Sequence, residues 1–169
     1  MKKSIFLLIT FCWAGTLMAQ KYAIIDTRYI LDKMPSYKEA QVQLDGIAAE
    51  WQKEIDGKQS KLDKMYREYE AEQVMLTEEL RKKREDQLYV LEKEVRDLQR
   101  KRFGFEGDLF KKRQELIKPI QDKVFNAVQK ISVARGYEIV FDKSEGITII
   151  FADPKLDKSE DILKELGVR

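Results

Sequence analysis

Histidine is absent from this chain, and its single cysteine, Cys12, lies within the first 19 residues. Without imidazole, Ser-His-Asp chemistry and histidine metal sites are excluded, and the usual side chain that titrates near neutral pH is missing. Catalysis would have to rest on Asp, Glu, Lys or Tyr. Breakers are scarce as well, with 3 prolines and 8 glycines in 169 residues. Combined with 37% charged residues, that scarcity points to elongated helices rather than an ordinary single-core globule. No glycine-rich loop leading to Lys-Ser or Lys-Thr occurs, so a phosphate-binding loop of the ATPase type is also missing.

The N-terminus reads as a targeting segment. Lys2 and Lys3 precede an uncharged stretch from Ser4 to Met18, and Ala19 offers a small residue for cleavage before Gln20. The apolar run Ile5 to Trp13 is short for a bilayer span, so residues 1–19 are expected to be a secretory signal peptide; a retained anchor is the alternative. The mature chain, 20–169, then contains no cysteine, which rules out disulfides and thiol catalysis in it. Removing two lysines leaves 30 basic and 30 acidic residues, so no global field draws the mature chain to nucleic acid.

Tyr22-Ala-Ile-Ile-Asp26 has the β-branched, apolar character of a buried strand, and Asp26 can cap a helical turn from Thr27 to Met34. Pro35-Ser36 then marks a break, with Ser36 predicted as N-cap and Glu39 completing a capping box. A long helix follows. Its seam runs Leu44, Ala48, Trp51, Ile55, Lys58, Leu62, Met65, Tyr69, the alternating four-three spacing of a heptad. A second seam, Leu88, Leu91, Val95, Leu98, Arg102, Phe105, Leu109, has the same alternation and extends back to Arg84.

The two seams match as an antiparallel hairpin folded near 76–77. This register faces Leu62 with Leu91, Met65 with Leu88, Ala48 with Phe105 and Leu44 with Leu109. A slide of seven residues gives another match, but Thr77-Glu-Glu79 is a good N-cap with acids at the positive end of the helix dipole. The favoured register also sets Arg102 against Trp51 and Arg84 against Tyr69 as cation–π pairs. Gly104 and Gly107 fall opposite small residues near the hairpin base, which reads either as a hinge or as close packing of two helices.

The returning helix is predicted to continue from Glu78 to Ala134, with a kink near Lys118 imposed by Pro119. Ile120, Val124, Ala127, Val128 and Ile131 have helical spacing, and Arg135-Gly136 closes the helix. Two strands are then expected, Tyr137 to Phe141 and Ile147 to Phe151, joined by a hairpin loop at Asp142 to Gly146. A terminal helix spans Ser159 to Leu166. The fold class is therefore α+β, mostly α: a small strand-rich body from 20–35 and 119–169, carrying a helical hairpin arm over 36–118. Three short strands bury little surface, so assembly through the sheet is expected, with Tyr22, Ile24, Ile139, Phe141, Ile149 and Phe151 at subunit contacts.

This arrangement resembles the Skp/OmpH family of periplasmic chaperones. The resemblance rests on Ala23-Ile-Ile-Asp26, the break at Met34-Pro35, the arm, Tyr137-Glu-Ile-Val-Phe-Asp142, and Ala152-Asp153-Pro154 leading to Leu156-Asp157 and the last helix. It covers 22–166. Asp157-Lys-Ser159 departs from the family's frequent Asp-hydrophobe-Thr and puts only a local cap in doubt. The resemblance implies a periplasmic homotrimer whose arms enclose a cavity holding unfolded outer-membrane proteins without ATP; no cofactor, metal or nucleic-acid partner is expected.

A holdase needs dispersed, weakly sticky surface rather than one tight pocket. Off the strict seams lie Tyr66, Val74, Met75, Leu76, Tyr89, Val90, Phe103 and Phe110, the candidate client-binding residues; for Tyr66, Phe103 and Phe110, flanking the seam or touching a neighbouring arm is an equal reading. Residues 36–76 carry 6 basic and 9 acidic side chains, and 77–118 carry 13 and 10, which favours attraction between the arms. Arg81, Lys82, Lys83 and Arg84 near the tip offer a weak contact for an anionic membrane surface or acidic client segments. Asp26, Asp142 and Asp153 sit at strand ends and read as caps and turn formers, not as a metal or catalytic set. A static coiled-coil envelope scaffold docking one folded partner is the alternative function; an enzyme is not expected.

Overall fold

A computed structural model describes residues 21–168 apart from Glu145 and Ile147. The signal-peptide reading of 1–19 lies outside the described residues. The order of elements is β1 (Tyr22–Ile25), α1 (Thr27–Lys33), α2 (Pro35–Glu72), α3 (Glu78–Phe103), α4 (Asp108–Arg135), β2 (Ile139–Asp142), a 3-10 turn (Pro154–Leu156) and α5 (Ser159–Glu165). The fold is thus mostly helical with a small two-stranded sheet. Contacts divide the described residues into two units, one formed by 21–33 with 124–168, the other by Met34–Lys123.

In the first unit β1 and β2 pair in parallel, Ile24 facing Phe141 and Ile25 facing Asp142. Parallel pairing demands a long crossover, and here every residue of the helical hairpin lies within it. On the other side of β1, Ile24 bridges to Asp157, and the Lys158 N–H donates to the Ile24 carbonyl at 2.8 Å. Ala23, Ile24 and Ile25 are all buried, as are Ile30 of α1 and Ile162 and Leu163 of α5, the two helices being in contact. On α4, Val124, Ala127 and Ile131 are buried at helical spacing.

Asp26 caps α1 as its position predicts, its Oδ1 accepting from the Tyr29 N–H at 2.9 Å. The Asp26 N–H in turn donates to Oγ of Ser159, the one buried polar side chain among the described residues. Gly136, at φ 69°, ends α4 in a Schellman motif, with Tyr137 N–H on the Ser132 carbonyl and Gly136 N–H on that of Val133.

The strand expected over 147–151 is absent from 148–151, so among the described residues the sheet has two strands and not three. Residues 148–150 have no regular structure, and Ile150 is 96% exposed. The turn after β2 explains this. Lys143 N–H donates to the Ile25 carbonyl, Ser144 N–H to Asp142 Oδ1, and Ser144 Oγ lies 2.7 Å from Thr27 Oγ1. These bonds carry the chain toward the start of α1 instead of back along β2.

In the second unit, Ser36 is not the N-cap. Pro35 occupies the first helical turn, the extended residue before it is buried Met34, and no side chain caps the end. Proline has no N–H to satisfy and its φ is preset for a helix, so it displaces the serine from the cap position. The hairpin register is the favoured one. Leu62, Leu88 and Leu91 form a buried cluster with Met65 and Tyr69 packed on it. The Arg102 guanidinium lies 4.6 Å from the Trp51 ring centroid. Arg84 does not stack on Tyr69: it pairs with Glu72 at 3.4 Å, while the Tyr69 hydroxyl donates to Glu85.

The returning helix is not continuous. It stops at Phe103 and resumes at Asp108, with Gly107 N–H donating to the Gly104 carbonyl across a tight turn. A Cβ on Gly104 would lie 2.3 Å from the Arg100 carbonyl oxygen, and one on Gly107 2.8 Å from that of Lys101. Both positions therefore require glycine in this conformation. Phe105 is ejected from the seam and is 98% exposed, so it does not face Ala48. That exposure forgoes about 1.5–3 kcal/mol of burial. Pro119 lies inside α4, which runs through it from Asp108 to Arg135.

Three carboxylates fasten the body. Burial, the largest influence, pushes the Asp142 carboxyl up, but hydrogen bonds from Thr27 and Ser144 outweigh it and hold the pKa below the ordinary value. Asp157 behaves alike, with Lys143 and Ser159 overcoming burial, and Arg135 lowers Asp161 directly. A depressed folded pKa contributes stability that is present above the unfolded value of about 3.9 and is lost as pH falls through the folded one. Thermal melts should therefore lose midpoint steeply below about pH 4. Asp142→Asn should cost about 1–2 kcal/mol at pH 7 and make that acid loss shallower; an equal acid loss in the variant would show that Asp142 is not a source of it.

Candidate functional site

Residues 73–77 join α2 to α3 and form the hairpin tip. Thr77 caps α3, its Oγ1 accepting from Leu80 N–H at 3.4 Å, with Glu78 and Glu79 in the first turn. Arg81 reaches back to the Gln73 carbonyl at 3.1 Å and Arg84 to Glu72. Both arginines are therefore spent on holding the tip together. Of the basic run 81–84, Arg81, Lys82 and Lys83 are exposed and form no ion pair among the described residues, and Lys82 and Lys83 are not tied back to the tip.

The clamped turn presents apolar side chains to water: Val74 is 87% and Met75 80% exposed, whereas Leu76 is half-buried. Leu80, exposed in the first turn of α3, joins them and is absent from the sequence-derived set. It lies four residues before Arg84, where the alternation of the seam calls for three and reaches Arg81, so heptad spacing does not mark it.

The remaining candidates divide. Tyr89, Val90 and Phe110 are exposed. Tyr66 is exposed at its edge, and its hydroxyl lies 3.4 Å from Glu92 across the hairpin; burial first, then Glu92, raises its pKa, so it stays a protonated donor. Phe103 is half-buried and packs edge-on to Trp51, with centroids 6.5 Å apart. Phe105, assigned by its spacing to the seam, belongs instead with the exposed aromatics.

On the body the six residues expected at subunit contacts also divide. Ile24 is buried, Phe141 and Ile149 are half-buried, and Tyr22, Ile139 and Phe151 are exposed, Phe151 at 85%. An open groove of about 640 Å³ runs between Ile24, Lys143, residues 148–154 and Asp157. Lys143 and Asp157 close one side as an ion pair of 2.7 Å.

Asp26, Asp142 and Asp153 form no three-carboxylate cluster: Asp26 and Asp142 both accept backbone N–H groups at the start of α1, from Tyr29 and Thr27, whereas Asp153 accepts from Lys155 at 2.9 Å. Among the described residues no group of three or more carboxylate or thiol ligands is placed to hold a metal, and no helix is long and apolar enough to cross a membrane. What the fold displays is dispersed apolar surface on a charged helical hairpin.

Those features define a protein with a long helical hairpin and a small α+β body. Residues 21–166 match the family described as Outer membrane protein (OmpH-like), and the chain belongs to that family. It is 29% identical over 164 residues to an uncharacterized protein of Aquifex aeolicus (strain VF5), covering 97% of this chain and 96% of that one. The fold is similar to the crystal structure of a Caulobacter crescentus CB15 protein designated a candidate outer membrane chaperone (OmpH-like). That similarity has a TM-score of 0.69 at 13% identity, over 87% of this chain and 83% of the other. Family membership supports a chaperone role in general terms.

Proposed function

We propose that this protein is an ATP-independent periplasmic holdase that shields unfolded outer-membrane proteins from aggregation. The observation that carries the reading is the hairpin tip, where Val74, Met75 and Leu80 stand in water among charged neighbours while both flanking arginines are held internally. Apolar side chains on a rigid, charged support bind many sequences weakly, and weak contacts allow release. Residues 1–19 would direct export, with cleavage after Ala19. The exposed Tyr22, Ile139 and Phe151 and the open groove beside them would be covered by partner subunits in a homotrimer, whose arms then surround a common cavity.

Contact with anionic membrane surface would rest on Lys82 and Lys83, with Arg81 beside them, at about 1 kcal/mol each, and so would be weak. The deciding experiment dilutes a urea-unfolded membrane β-barrel into the mature protein and follows light scattering without nucleotide. Suppression at near-stoichiometric ratio is expected, with native soluble proteins left unbound. Unchanged scattering in large molar excess would favour the static scaffold.

A further inference from the structure

The turn at 104–107 and the sequence around it specify two different structures. Leu98, Arg102, Phe105 and Leu109 keep the four-three-four spacing of the seam straight through the turn, a phase that only a continuous helix uses. Yet Gly104 and Gly107 are the residues the turn itself requires, since any Cβ there meets a carbonyl oxygen. We propose that residues 104–107 are a two-state joint, in which the observed turn exchanges with continuous helix that carries Phe105 into the hairpin seam against Ala48.

Each side of the exchange has identifiable terms. In the turn, Glu106 holds φ 53°, a left-handed conformation that a side chain disfavours, and Phe105 is unburied. Continuous helix removes both penalties. The facing stretch of α2 has room, because it offers Gly46, Ala48 and Ala49, and a Cβ built on Gly46 meets nothing within 4 Å. Against the helix stand two glycines, poor helix formers, and the bonds of the turn. Arg102 is the clasp of the observed state: it stacks on Trp51 and pairs with Glu54 at 3.2 Å and with Asp108, at the start of α4, at 2.8 Å. Its Nε is buried without a partner, so the clasp is imperfect. Opposing terms of similar size leave both states accessible.

The joint is testable on the mature protein without any client, so its failure leaves the holdase reading intact. Fluorine NMR of protein containing 4-fluorophenylalanine, with Phe105 assigned by its loss in Phe105→Leu, should show two Phe105 resonances or one broadened by exchange. A single sharp, solvent-exposed resonance that is insensitive to temperature would overturn the proposal. In the double variant Gly104→Ala, Gly107→Ala the turn is sterically closed, and amides 105–108 should exchange about tenfold more slowly or better as helix forms. A variant that folds with lower stability and equally fast amides would also overturn it. Should that variant not fold, the fluorine spectrum of the unsubstituted protein decides.

Discussion

Ile24→Asp is expected to unfold the body. Ile24 is buried in β1, pairs with Phe141 and bridges to Asp157, so the new carboxylate would enter a core already next to another acid. The lost apolar transfer and the unpaired charge together exceed about 4 kcal/mol, comparable to the whole stability of a small domain. Circular dichroism and thermal melting should show loss of the cooperative transition at all protein concentrations. Phe151→Asp provides the contrast. Phe151 is exposed, so this variant should keep the parent's fold; under the trimer proposal it should scatter light as a smaller particle. A Phe151→Asp variant with the parent's mass would exclude this surface as the subunit contact.

Replacing Val74, Met75 and Leu80 together by serine is expected to abolish most holdase activity without disturbing the hairpin. None of the three lies in the buried cluster of Leu62, Leu88 and Leu91, so the melting temperature should stay near the parent's. Partial burial of three apolar side chains against a client is worth about 2–3 kcal/mol, a loss of roughly 30–150-fold in client Kd. Light scattering and client titration measure the two quantities separately. Val42→Ser, which removes an exposed apolar residue on α2 far in sequence from the tip, is the matched control and should change neither. Equal losses in both variants would mean that client affinity is spread along the helices and is not concentrated at the tip.

The hairpin was legible because its signals are local and repeated. Leu62, Met65, Leu88 and Leu91 recur at heptad spacing, and Trp51 with Arg102 confirms the register that Thr77-Glu-Glu79 selects. Caps were legible where a single residue serves its own helix end, as with the side chains of Asp26 and Thr77 and the backbone of Gly136. Ser36 misled because the capping-box pattern competes with a proline one residue earlier, and the proline prevailed. Of the candidate contact residues, Val74 and Met75 could be read as exposed from the fold point alone. Phe103 and Phe105 could not: their spacing places Phe105 inside and Phe103 beside the seam, while the chain buries Phe103 against Trp51 and ejects Phe105.

Sequence alone thus determined the family, the two helices of the hairpin with their register, and the segments that become β1, β2 and α5, because periodicity and capping act over a few residues. Tertiary structure decided the rest. Whether Thr148 to Phe151 pairs depended on Asp142 and Ser144 finding Thr27, over a hundred residues away in the chain, and those bonds turn the backbone away from a hairpin. Whether the returning helix is one or two depended on the turn at 104–107, with Arg102 reaching Glu54 and Asp108 in the broken form. Such outcomes hinge on partners that sequence spacing does not name, and on differences between opposing terms too small for any local propensity to settle.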